Sequence, residues 1–136
     1  MKVREIMTTR IVSVEPNTTV HDAAVMMNRN NIGAVPVVES GNVRGMLTDR
    51  DIVLRCVAEN RDASGLKVAD ICSQGAVSVR PEQNVSEAMN LMSTEQVRRL
   101  PVVDNGRIVG MLSMADVARE KAGMELAEAI SDISMP

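Results

Sequence analysis

A chain of 136 residues has the length of one ordinary domain, or of two small halves sharing a core, and 45% hydrophobic residues suffice to fill one. The net charge of −3 argues against a general nucleic-acid binder, which needs a basic face, and no apolar run is long enough to span a bilayer. Phe, Tyr and Trp are absent, so the interior must consist of Val, Ile, Leu, Ala and the 11 Met, and no base can stack on an aromatic ring.

From the N-terminus, Met1-Lys2-Val3 opens a polar segment rather than a signal peptide, which places the chain in the cytoplasm as an expectation. A helical turn is predicted near Val3 to Met7, then a short strand from Ile11 to Val14 that Pro16 ends. Val20, Ala23, Ala24 and Met27 follow at i, i+3, i+4 and i+7, the stripe of an amphipathic helix, with Thr19 and Asp22 as its cap pair. Two strands, about 34 to 39 and 42 to 48, join at Ser40-Gly41, and a second helix starts at Thr48.

The same order then repeats. Residues 3 to 53 align without a gap on residues 68 to 118, with roughly a third of positions identical. Val12-Ser-Val-Glu-Pro16 matches Val77-Ser-Val-Arg-Pro81, Pro36-Val-Val matches Pro101-Val-Val, and Gly41 and Gly45 match Gly106 and Gly110. Asn84, Glu87 and the stripe Val85, Ala88, Met89, Met92 repeat the first helix, and Asn105-Gly106 is a strong hairpin signal. The polar stretch from 54 to 67 connects the copies. The division expected is a first repeat over 1–60, a linker over 61–67, a second repeat over 68–122 and a helical tail over 123–136. In that tail Ala122, Leu126, Ala129, Ile130 and Ile133 form an apolar seam suited to packing on the module or to a symmetric dimer contact.

The chemistry-bearing stretch is Gly45-Met-Leu-Thr48-Asp-Arg-Asp51, with its second version Gly110-Met-Leu-Ser113-Met-Ala-Asp116. Each runs a strand into a helix, with a hydroxyl at the N-cap and an Asp three positions on. One reading is a capping box closed on itself. The other is a helix N-terminus that receives phosphate or sugar oxygens, the carboxylate accepting from both hydroxyls of a ribose. The remaining candidates carry less. Cys56 and Cys72 lack a C-x-x-C spacing and read as free buried thiols, the Met residues as gap-fillers, and His21 as a surface residue at a helix start. No Ser/His/Asp set, metal-ligand cluster or Walker-type loop can be assembled, so an enzyme is not expected.

The order, spacing and duplication of the Ile-Met-Thr opening at 6 to 8, the two Pro-Val-Val strands and the two hydroxyl-x-x-Asp stretches resemble a tandem pair of CBS domains, a Bateman module. The resemblance covers the chain to about residue 118. It implies an α/β (α+β) fold of two β-α-β-β-α repeats with pseudo-twofold symmetry, and regulatory binding of AMP, ADP, ATP or S-adenosylmethionine, with Mg2+ compatible with ATP. It also implies a homodimer, and the regulated protein is expected to be a separate chain; the charge argues against nucleic acid as a partner, and without a long apolar run a membrane is not expected. Carried onto this sequence, one nucleotide site combines Thr48 and Asp51 with Val77, Arg98, Arg99, Leu100 and Pro101. The other combines Ser113 and Asp116 with Thr8, Val12, Gly33, Ala34, Val35 and Pro36. Because Arg98-Arg99 stands where the first copy has Gly33-Ala34, the Thr48/Asp51 site is expected to prefer a phosphorylated ligand. The alternative is a structural or interaction module whose crevices are vestigial.

Overall fold

The computed structural model describes residues 1–121. Its helices and strands follow the local signals closely. In the first copy α1 (Val20–Asn30) begins at Thr19, whose Oγ1 accepts the Asp22 N–H at 3.1 Å, and ends at Asn31 in the left-handed region. β1 (Ala34–Glu39) and β2 (Asn42–Thr48) form an antiparallel hairpin closed by Ser40 (φ 53°) and Gly41 (φ 83°), the positive-φ pair that a two-residue turn between twisted strands requires. α2 (Asp49–Ile52) then runs into a π-helical turn, Val53–Val57. The second copy repeats this with α4 (Val85–Glu95), β4 (Arg99–Asp104), β5 (Arg107–Ser113) and α5, described as Met114–Lys121, and the β4–β5 turn uses Asn105 (φ 51°) and Gly106 (φ 79°). Two short elements open the second copy: α3 (Val68–Ile71) and β3 (Ser73–Gln74), the third strand of the β1-β2-β3 sheet.

The predicted strand from Ile11 to Val14 is not formed. Val14 alone makes a parallel bridge to Val37, its N–H on Pro36 O at 3.1 Å and its carbonyl taking the Val38 N–H at 2.8 Å. Val79 does the same with Val102. With a proline two residues after each bridge, the pairing is held to one residue. Met89 is a second correction. It is 44% exposed, so the stripe α4 buries is Val85, Ala88 and Met92, as α1 buries Val20, Ala23 and Met27. The tail with Ala122, Leu126, Ala129, Ile130 and Ile133 lies outside the described residues.

Two compact units emerge, and neither coincides with a contiguous repeat. The first comprises Val12–Ala76 with Gly106–Ile108, and the second comprises Met1–Ile11, Val77–Asn105 and the described residues from Val109 on. The opening of each copy has therefore joined the body of the other. In the first unit Val68 N–H bonds Thr18 O, Val20 N–H bonds Leu66 O, and Val68 and Ile71 are buried in a core with Val20, Ala23, Val35, Val37 and Leu47. In the second, Val3 N–H bonds Gln83 O, Arg4 N–H bonds Pro81 O, and Val3 is buried among Val85, Ala88, Leu100, Val102 and Leu112. Thr8 and Met111 exchange backbone bonds of 2.8 and 2.9 Å, and β3 pairs Gly45 with Gln74 and Met46 with Ser73.

Glycine makes both attachments possible. A β-carbon at residue 45 would lie 2.0 Å from the Ser73 carbonyl oxygen, and one at residue 110 would lie 3.0 Å from the Thr8 carbonyl and 2.8 Å from Met7 Sδ. The first obstacle is backbone and cannot swing away, whereas the second is partly a flexible thioether. Gly45→Ala is therefore expected to destabilise the fold by about 1–3 kcal/mol, and Gly110→Ala by less, in denaturant unfolding followed by circular dichroism. The N-terminal segment is also tied by charge: Lys2 Nζ reaches Glu82 at 2.8 Å and Arg4 Nε reaches it at 3.0 Å, and the Lys2 hydrogen bond foremost holds the Glu82 carboxyl below its ordinary value. A depressed carboxyl contributes its stability above its ordinary value and loses it as pH falls through the depressed one. Amide protection factors at Val3 and Arg4 should accordingly fall on acidification, and Glu82→Gln should flatten that dependence.

Candidate functional site

Each strand-to-helix junction is closed by a complete capping box. Thr48 N–H donates to Asp51 Oδ2 at 3.0 Å while Asp51 N–H donates to Thr48 Oγ1 at 3.0 Å. Ser113 N–H and Asp116 Oδ2 are 3.0 Å apart, and Asp116 N–H and Ser113 Oγ 3.1 Å. A box satisfies two otherwise unpaired donors reciprocally and orients the carboxylate, leaving its other oxygen for further contacts. The first helical N–H is also spoken for in both copies: Asp49 N–H bonds Gly33 O at 2.9 Å, and Met114 N–H bonds Arg98 O at 2.8 Å.

Around these identical frames the two junctions differ. At α2 the Asp49 carboxylate folds over the helix start, accepting the Arg50 N–H at 2.8 Å, and its Oδ2 lies 2.9 Å from where a Gly33 β-carbon would be. The first turn thus carries two acids with the Arg50 cation between them in sequence, and the Arg50 backbone N–H is already bonded. At α5 Met114 stands in place of Asp49, and Arg119 Nη2 binds Asp116 Oδ1 at 2.6 Å. Among the described residues Asp51 Oδ1 accepts no hydrogen bond, and the position matching Arg119 is Leu54.

The residues singled out from the sequence are distributed between the units as follows. Thr48 and Asp51 share the first unit with Val12, Gly33, Ala34, Val35 and Pro36; Ala34 is registered opposite Thr48, Val35 and Pro36 are buried, and Val12 is packed on the core. Ser113 and Asp116 share the second with Thr8, Val77, Arg98, Arg99, Leu100 and Pro101; Leu100 and Pro101 are buried, and Arg98 and Arg99 are exposed. Arg98 precedes β4 rather than lying in it, so strand alternation does not govern where the pair points. Each site inferred from the resemblance draws on both units. Within a single unit, the structure bonds Gly33 O to the N–H of Asp49, next to Thr48, and Arg98 O to the N–H of Met114, next to Ser113.

Cys72 is a neighbour of the Thr48/Asp51 junction that the sequence did not disclose. It is buried, its Sγ lies 3.5 Å from the hypothetical Gly45 β-carbon, and burial first and the Asp51 charge second push its thiol up, Arg55 opposing. The only sequence signal was its alignment with Met7, which occupies the matching place beside Gly110. Cys56 is also free and buried, its Sγ on Arg61 O at 3.3 Å, and His21 is exposed. Among the described residues no group of three or more His, Cys, Asp or Glu side chains could hold a metal ion, and no helix is long and apolar enough to cross a membrane.

The CBS domain family model matches residues 3–57 and 68–123. The CBS domain-containing protein YhcV of Bacillus subtilis is 42% identical over 133 residues, 97% of this chain and 94% of its own. The crystal structure of Hypoxic Response Protein I with two coordinated zinc ions is 33% identical with a TM-score of 0.82, over 88% of this chain and 98% of that one. At 24% identity and a TM-score of 0.77, the fold is shared by the CBS domain pair of protein MJ0100, solved with 5-methylthioadenosine and S-adenosyl-L-methionine, over 88% of this chain and 94% of that one.

Because Asp51 raises the Cys72 thiol, Asp51→Asn should bring it back toward its ordinary value. Alkylation at Cys72, read by peptide mass spectrometry against pH, should shift its midpoint downward, while Asp116→Asn leaves it in place.

Proposed function

The chain belongs to the CBS-domain family as a tandem pair, a known regulatory ligand-binding module, and on that premise we propose that it binds an adenosyl compound reversibly and transmits its presence to a partner protein. The observation that carries this reading is the duplicated hydroxyl-carboxylate box at the end of β2 and of β5, in which the backbone and Thr48 or Ser113 fix an Asp while engaging one of its oxygens. An ionised carboxylate held in this way is prepared to accept from a cis-diol with little further ordering. Thr48 and Asp51 are the ribose-binding pair of one site, and Ser113 and Asp116 of the other. Val77, Arg98, Arg99, Leu100 and Pro101 complete the first, and Thr8, Val12, Gly33, Ala34, Val35 and Pro36 the second.

The base finds no aromatic ring in this chain, so aliphatic side chains and backbone groups must hold it. CBS proteins of this type are generally regulatory rather than catalytic, and this one acts by binding. A ligand shifts such a module only by binding two of its conformations with different affinity, so regulation follows from differential affinity rather than turnover. Self-association belongs to the same proposal: Val53, Leu54 and Val57, 55%, 47% and 67% exposed, make an apolar stripe on the continuation of α2 that a second copy would cover. The solution setting we assign is cytoplasmic.

The test is a thermal-shift panel of adenosine, AMP, ADP, ATP and S-adenosylmethionine, read by dye or calorimetry because the chain has no Trp or Tyr. A ligand at a hundred times its Kd should stabilise the protein by about 2.7 kcal/mol and raise the melting temperature with concentration. Asp51→Ala with Asp116→Ala should abolish the rise. No shift with any of the five, or a shift that survives both substitutions, overturns the proposal in favour of a structural or interaction module.

A further inference from the structure

We propose that Arg119 is an internal competitor that makes the Ser113/Asp116 site the weaker of the two for the sugar diol. This rests on the ribose-binding reading of the two boxes and adds to it a rank order and the residue that sets it. A diol donates two hydrogen bonds, and in each box Oδ2 already accepts one from a backbone N–H, so Oδ1 offers the less encumbered acceptor positions. The remaining oxygen therefore decides how well a ribose is held.

At Asp116 that oxygen is occupied. Arg119, one turn along α5, places Nη2 2.6 Å from Oδ1, a charge-assisted bond between a side chain 64% exposed and one only 14% exposed. The ligand's hydroxyls must share that oxygen with the guanidinium or displace it. At Asp51 there is no such rival among the described residues, because Leu54 stands where Arg119 stands in the other copy and cannot donate. Arg55, the next residue on, donates through Nη1 to Ile71 O at 2.8 Å.

The size of the effect follows from the exposure of the arginine. An exposed ion pair one turn apart is modest and screened by salt, so the competition should be worth about two- to fivefold in affinity rather than a complete block. Arg119 does not close the site; it grades it.

Isothermal titration of the full chain with adenosine, which carries the diol and no phosphate, tests this directly. In an Asp51→Asn background, where the Ser113/Asp116 site remains, adding Arg119→Leu should tighten adenosine about two- to fivefold. Arg119→Lys, which keeps a cation at that position, should stay near the starting affinity, and 2′-deoxyadenosine, which lacks the diol, should gain nothing from Arg119→Leu. Raising salt should narrow the gap between the arginine and leucine forms. Equal adenosine affinity for those two forms, while the otherwise unaltered chain still binds adenosine through Asp51, overturns the role of Arg119 alone. Failure of the unaltered chain to bind adenosine or any phosphorylated adenosine overturns both this inference and the ribose-binding reading beneath it.

Discussion

The architecture depends on two places where one copy packs so closely on the sheet of the other that a β-carbon would be crowded, severely by main chain at Gly45 and more mildly at Gly110, where Met7 Sδ is the nearest atom. The carbonyl of Ser73 lies over Gly45 and that of Thr8 over Gly110. These approaches let the opening segment of each copy attach beside the other copy's second strand and carry Val68 and Ile71, or Val3, into a core built from the far half of the sequence. Each unit thereby covers apolar surface that a two-stranded hairpin and two helices cannot cover alone. The glycine that ends up at the Gly-x-x-hydroxyl-x-x-Asp stretch is thus a packing device first, and the box that follows it is placed by the same strand.

Within those frames the chemistry has diverged by a few side chains. Both helices start from a hydroxyl and an Asp in the same reciprocal geometry, and both take their first N–H into a carbonyl of the preceding segment. Yet Asp49 loads the start of α2 with a second negative charge, while Met114 leaves α5 without one. An anionic ligand group approaching the first helix meets that carboxylate as well as the neighbouring Arg50 cation. The second helix offers a neutral entry flanked by Arg119 and, before β4, by the backbone of Arg98. The duplication has kept the scaffold of the site and varied its electrostatics.

Most of the local structure was legible in the sequence. The hairpins at Ser40-Gly41 and Asn105-Gly106, the caps at Thr19, Thr48 and Ser113, and the helical stripes apart from Met89 follow from turn chemistry and period alone, and the structure reproduces them. What was not legible depends on partners distant in the chain. Ile11 to Val14 has strand composition but only one residue's worth of pairing, whereas Ser73-Gln74 has none of that composition and is a strand because Gly45 and Met46 accept it as a neighbour. Met89 fits the helical period, yet the core meets α4 along a narrower face. Cys72 reaches the Asp51 junction through the same exchange of segments, which no pattern inside either copy announces.

The reciprocal attachment of the opening segments also bears on descent. A single copy of this repeat, standing alone, would have an unclaimed edge on its second strand and a leading segment with nowhere of its own to bind. Two such chains would each supply what the other lacks, through the contacts now made by residues 2 to 8 and 67 to 74. Joining their genes end to end would preserve every one of those contacts while removing the dependence on concentration. It would also release the two junctions from identity, and they do differ: Arg119 lies one turn after Asp116, and Leu54 holds the matching place after Asp51.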